Sequence, residues 1–205
     1  MKTNYFTYYQ PWAVVLVVGS TLLGIIWAQQ FNWSYPIIGI GLLGIVLKII
    51  DQWLWKYPPF SWLFTIKDFS GTYTGTQECF IIEKEENCKT NKIYIDVTMV
   101  IVQTGSTITV NAFYKRHNKK SSNSHSNLCM ITRTEDKQHF KILYQYTNEG
   151  NEELDTHFGT CIIKVKDNNG NYLLEGTYYT NRKPYPTKGN FQNLTRTSTK
   201  TTHPF

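Results

Sequence analysis

From Thr3 to Leu47 the chain carries no Asp, Glu, Lys or Arg, a run of 45 residues. A soluble domain seldom goes that far without a charged surface side chain, so this stretch constrains everything else. Thirty-four of the 36 charged residues lie from Asp51 onward. The net charge of +6 and the mean hydropathy of −0.36 therefore average two unlike parts. The first is about 55 residues of apolar sequence. The second is about 140 residues, enough for one core of ordinary size. This split excludes a simple soluble monomer, a disordered chain and a disulfide miniprotein.

Two apolar segments are visible. They predict helices over about 12–28 and 36–55, which form a two-helix transmembrane hairpin within 1–57. At 1.5 Å per residue each apolar core is slightly short of a hydrocarbon slab of about 30 Å. Aromatic residues make up the difference: Tyr8, Tyr9 and Trp12 before the first segment, Trp27, Trp33 and Tyr35 around the connection, Trp53 and Trp55 after the second. The seven-residue connection Gln29–Tyr35 makes the helices antiparallel neighbours. It has no basic residue, whereas Lys2, Lys48, Lys56 and Lys67 flank the hairpin, which puts both termini on the cytoplasmic side. Lys48 and Asp51, one turn apart, are expected to pair near that end. Ser20, Gly24 and Ala28 place small residues on one helix face, suited to close packing within the hairpin or between copies.

Tyr57-Pro58-Pro59 ends the helical pattern. Residues 58–66 read as a juxtamembrane linker and 67–205 as an all-β domain. Eight runs rich in Tyr, Val, Ile and Thr follow: Gly71–Ile82, Lys92–Gln103, Thr107–Tyr114, Asn127–Arg133, His139–Thr147, His157–Lys166, Tyr172–Asn181 and Lys188–Arg196. Thr104-Gly105-Ser106 and Asp167-Asn168-Asn169-Gly170 are tight turns. Lys115–Ser126 reads as a basic loop rich in Ser and Asn. Ile93, Ile95, Val97, Met99 and Ile101 share one face of their strand. Consecutive antiparallel strands with short turns predict an eight-stranded up-and-down, lipocalin-like β-barrel, with a β-sandwich as the alternative.

The sequence offers no catalytic constellation, and an enzyme is not expected. His117, His125, His139, His157 and His203 form no ligand-spaced pair, so no metal and no cofactor are expected. Cys79, Cys88, Cys129 and Cys161 form no CxxC. Cys79 and Cys88 would bridge only in an oxidising compartment. Polar residues inside strands are more informative. Tyr144 and Tyr146 share a face, as do Tyr178 and Thr180, with Arg182 two positions on. With Tyr73, Gln103 and Thr160 they make a candidate ligand-binding set. Aromatic rings stack on bases, hydroxyls bond base edges and guanidinium pairs with phosphate, which suits a flat, anionic ligand. No domain-wide basic stripe appears, which argues against polymeric nucleic acid. A membrane-tethered carrier for a lipid or other apolar ligand is the alternative.

A helical hairpin followed at once by such a barrel resembles the two-transmembrane β-barrel effectors of CBASS, the cyclic-oligonucleotide-based anti-phage signalling systems of bacteria. The resemblance rests on Asp68-Phe69-Ser70-Gly71-Thr72-Tyr73, Leu143-Tyr144-Gln145-Tyr146, His157-Phe158-Gly159-Thr160, Leu174–Arg182 and the closing Lys188-Gly189 strand. It implies a sensor barrel that binds a cyclic dinucleotide made by a partner nucleotidyltransferase. It further implies homo-oligomerisation, disruption of the inner membrane by the helices and death of the infected cell.

Overall fold

The computed structural model describes residues 4–30, 36–81, 92–115, 121–151, 155–168, 170–183 and 185–204. The chain divides into two compact units. One is Met1–Asp68 together with Gln103–Thr107; the other is Phe69–Val102 with Ile108–Phe205.

The first unit contains α1 (Pro11–Gln30) and α2 (Pro36–Ile49). Pro11 opens α1, where its missing amide hydrogen and fixed φ cost nothing. Val15, Leu16, Val18, Leu22, Leu23 and Ile26 are all exposed along it. Among the described residues, α1 alone is long and apolar enough to cross a membrane, over Pro11–Ala28. The expected hairpin is corrected to that extent. α2 has 14 residues and, at 1.5 Å each, a length of about 21 Å. It ends at Ile49 rather than near residue 55, because the chain widens into a π-helical turn over Ile50–Leu54. That turn buries Asp51, whose backbone carbonyl accepts the Gly105 amide at 2.9 Å. Asp51, expected beside Lys48, is thus turned toward the Gln103–Thr107 segment.

Residues 58–66 are packed. Phe60–Leu63 form a 3₁₀ turn. Gln10 N–H donates to the Leu63 carbonyl at 2.7 Å, and Thr65 N–H to the Tyr8 carbonyl at 2.8 Å. Tyr9, Ile50, Trp55 and Phe64 form a small core there. Trp12, Trp53, Tyr57 and Trp62 remain exposed.

The second unit is built from eight strands: β1 (Gly71–Ile81), β2 (Lys92–Gln103), β3 (Ile108–Lys115), β4 (Ser122–Arg133), β5 (Phe140–Asn148), β6 (His157–Asn168), β7 (Asn171–Thr180) and β8 (Thr187–Ser198). They close in sequence order into an up-and-down barrel, β8 pairing antiparallel with β1. Closure removes the free edges and excludes the sandwich. The strand boundaries expected from sequence recur within a few residues except at β4, which starts five residues early. Ser122–Ser126, expected in a loop, pairs with β3 and β5, and the register then slips between Ser126 and Leu128. The bulge breaks the two-residue alternation, which is why the sequence pattern hides this half of the strand.

The barrel is filled by height. Met99, Ile101, Ile142, Ile163, Leu174 and Leu194 are fully buried in the lower lumen. Below them Phe69 seals the end, its ring 5.2 Å from Phe140 and 5.1 Å from Tyr172. The Arg133 and Arg196 guanidinium groups stack on the Phe140 and Tyr172 rings at 4.9 and 5.5 Å.

Candidate functional site

Toward the other end the inward positions change character. Alternation along β1, β5, β6, β7 and β8 aims Gln77, Cys79, Tyr144, Tyr146, Cys161, Tyr178, Thr180 and Thr187 inside, all of them buried. A cavity of about 70 Å³ opens there, lined by Gln77, Tyr114, Tyr146, Asn148, His157, Tyr178, Thr180 and Arg182, among others.

Of the eight residues selected from sequence, four meet at this cavity: Tyr146, Tyr178, Thr180 and Arg182. Tyr144 lies just beneath, its ring 5.9 Å from that of Tyr146. Tyr73 points inward too, but at the sealed end, where its hydroxyl donates to the Phe69 carbonyl at 2.9 Å. Gln103 lies at the end of β2, where its side-chain amide donates to the Lys67 carbonyl at 2.9 Å. Thr160 faces outward, into a depression of about 730 Å³ on the outer wall that Ile162, Tyr179, Lys188 and Asn190 also line. Of the small-residue stripe, Ser20 and Gly24 are exposed and Ala28 is buried. Cys79, Cys129 and Cys161 are free and buried, while Cys88 lies outside the described residues.

Sequence reasoning passed over Gln77, Tyr114, Asn148 and His157. The signal was available for His157, which is in phase with inward Cys161, Ile163 and Val165.

The mouth holds unspent hydrogen-bonding capacity. Gln77 Oε1, Tyr144 OH and Tyr178 OH are buried with no hydrogen-bond partner. Such atoms destabilise a fold by about 1–3 kcal/mol each, so they mark a place where a ligand or water belongs. By contrast, Tyr114 OH is held by Ser124 Oγ at 3.2 Å. Burial pushes the phenols of Tyr144, Tyr146 and Tyr178 up, and the Cys161 thiol up to about 12. The inner walls therefore stay neutral at pH 7.

The rim is cationic. The Arg182 amide donates to Thr180 Oγ1 at 2.9 Å. The Asn181 amide donates to the Phe158 carbonyl at 3.0 Å, and the Phe158 amide returns a bond to Asn181 Oδ1 at 2.8 Å. This clamp ties the end of β7 to the start of β6, one residue from Arg182 and from His157. Burial first, then the Arg182 charge, push the His157 imidazole down, against an upward pull from the Asp155 carbonyl.

A closed eight-stranded barrel with a packed apolar floor and a polar, unsatisfied mouth is a receptor for a small ligand. The model of a family described as "Cap15, cyclic dinucleotide receptor domain" matches residues 64–196, and the chain belongs to that family. The resemblance to the β-barrel effectors of CBASS is thereby borne out, and the barrel is a cyclic dinucleotide receptor domain. Neither a curated protein nor a solved structure gives a match.

Proposed function

We propose that the protein is an anti-phage effector whose barrel takes a cyclic dinucleotide at its mouth, through Tyr146, Tyr178, Thr180 and Arg182. The observation that carries this reading is the meeting of those residues, on a receptor domain of this family, around buried polar atoms that have no partner. A cavity of about 70 Å³ admits only part of such a ligand. The ligand therefore lies across the mouth with one portion inserted between Tyr146 and Tyr178. The inserted portion presents a donor to Gln77 Oε1 and an acceptor to Tyr178 OH, as base edges do.

In this reading a partner nucleotidyltransferase makes the ligand after infection, and binding favours an assembled state of several copies. α1 sits in the bacterial inner membrane, residues 58–66 link the helical segment to the barrel, and assembly disrupts the bilayer. The exposed apolar surface of α1, flanked by exposed Trp12 and Trp27, supports insertion. Ser20 and Gly24 are exposed and free to pack against another copy. A lipid carrier finds less support, because side chains fill the apolar lower lumen.

The test is calorimetric titration of the full chain in detergent micelles with purine- and pyrimidine-containing cyclic dinucleotides. Saturable binding that Arg182→Ala weakens about tenfold or more is the expected result. A folded chain that binds none of them sinks the reading. Dye leakage from liposomes carrying the chain, on adding the binding dinucleotide, tests the membrane step.

A further inference from the structure

The rim of the barrel mouth carries a second basic group that the ligand set above leaves out. In the β6–β7 register Gly159 pairs with Thr180. The Phe158–Asn181 bonds hold the two chains together just beyond that pair, and His157 and Arg182, which flank those bonds, both line the cavity. Two basic side chains on one cavity repel when both are charged, unless an anion lies between them, and the Arg182 charge already acts on His157. Among the described residues, no carboxylate lines the cavity.

The hydrogen bonding of His157 makes the point sharper. Its Nδ1 lies 3.0 Å from the Asp155 backbone carbonyl, which can only accept, so Nδ1 carries the hydrogen. In the neutral ring Nε2 is then an acceptor. A phosphate oxygen is also an acceptor, so the two cannot bond. Protonation turns Nε2 into a donor while leaving the Asp155 bond in place.

We propose that His157 and Arg182 jointly hold one phosphodiester of the cyclic dinucleotide at the rim, His157 as the imidazolium, so that binding takes up a proton. This rests on the cyclic dinucleotide reading given above. The titratable groups that share the cavity with His157 are Cys79, Tyr114, Tyr146, Tyr178 and Arg182, and burial pushes the three phenols up. Nearby Glu149 faces His125 instead, at 3.4 Å.

The sign follows. In the free protein the imidazole titrates below its ordinary value, and a bound phosphodiester raises it. Affinity is therefore greatest in mild acid. It declines as pH rises through the ligand-bound value, by at most about tenfold per pH unit for one proton.

The experiment is calorimetry of the full chain in micelles with whichever cyclic dinucleotide binds, repeated at several pH values in two buffers of different ionisation enthalpy. The expected result is uptake of up to one proton per ligand, largest where free His157 is neutral and bound His157 is charged. His157→Gln, which keeps a neutral donor, should retain binding weakened about tenfold, abolish the uptake and flatten the pH profile. Arg182→Ala should weaken binding at every pH. Binding without proton uptake overturns the proposal while leaving the receptor reading intact, and so does uptake that survives in His157→Gln. If that variant does not fold, the imidazole NMR resonances of the unsubstituted chain decide: an unmoved His157 titration on saturation overturns it. Absence of binding by every dinucleotide ends both readings.

Discussion

Tyr178 packs its ring 5.5 Å from Phe191, and its buried hydroxyl has Gln77 and Cys79 as polar neighbours but makes no hydrogen bond of good geometry. Tyr178→Phe therefore removes an unsatisfied group and keeps the packing. The ligand-free chain should melt at the same temperature or higher, while affinity for the dinucleotide falls about tenfold. Thermal melts with and without ligand check both halves, and a lower melting point without ligand would contradict the assignment. Gly159 behaves differently. A Cβ there meets the Tyr146 ring and the Tyr179 backbone carbonyl, so Gly159→Ala should cost about 1–3 kcal/mol in a denaturant titration and weaken ligand binding. Alternation in the sequence was enough to put Tyr144 with Tyr146, and Tyr178 with Thr180 and Arg182. It was silent on height. A period of two says which side of the wall a residue faces, not how far it stands from the mouth, and so it groups Tyr73 with Tyr178. Thr160 lies on the other face: Cys161, Ile163 and Val165 set the inward phase of its strand and leave Thr160 outside.

Among the strands, the seam where the barrel closes has a specific fastening. Glu78 on β1 is buried although it points outward. Its carboxylate accepts from Lys92 Nζ at 3.0 Å, Gln192 Nε2 at 3.2 Å, Asn190 Nδ2 at 3.3 Å and Tyr94 OH at 3.4 Å. One side chain thus joins β2, β1 and β8. The bond from Lys92 holds the Glu78 carboxyl below its ordinary range, and Glu78 in turn raises Lys92. A carboxyl lowered in the folded state adds stability above its unfolded value, and that stability is lost as pH falls through the folded value. Glu78→Gln should lower the melting temperature by about 5 °C at pH 7, with the gap to the unsubstituted chain closing in acid. A constant gap from pH 7 to pH 3 would refute this account. Periodicity found every strand because each has one wet and one buried face. It missed the first half of β4, where a bulge and a run of Ser and Asn erase the contrast, and it ran α2 past the π-helical turn that buries Asp51.

For the molecule as a whole, the uneven spread of charge announced two units before any contact was known. What no pattern announced is that Gln103–Thr107, a hairpin tip in sequence, belongs to the helical unit. Gly105 is closed in by the Phe64 ring and bonds the Asp51 carbonyl, contacts that link residues far apart in sequence and leave no periodic trace. Truncation at residue 63 removes Asp51 from that bond, and such a fragment should be less stable than the barrel in the full chain, as hydrogen exchange at the Gly105 amide would report. Leu22 sits exposed in the middle of α1. Leu22→Arg places a charge where insertion is opposed by about 2.5–3.5 kcal/mol, so the chain should shift from the membrane to the soluble fraction and lose toxicity, with its ligand affinity unchanged. Toxicity that survives this change would detach killing from α1.

The up-and-down order also sorts the strand ends. The last residues of β1, β3, β5 and β7 all lie at the mouth, and those of β2, β4 and β6 at the sealed end. The core that holds the barrel shut is remote from every one of the first group. Side chains at these strand ends can therefore change with little effect on folding, and each such change falls beside the cavity. In a contest where a virus gains by destroying or mimicking the signal, the receptor can shift to a different signal by altering its rim, with no need to re-evolve the barrel.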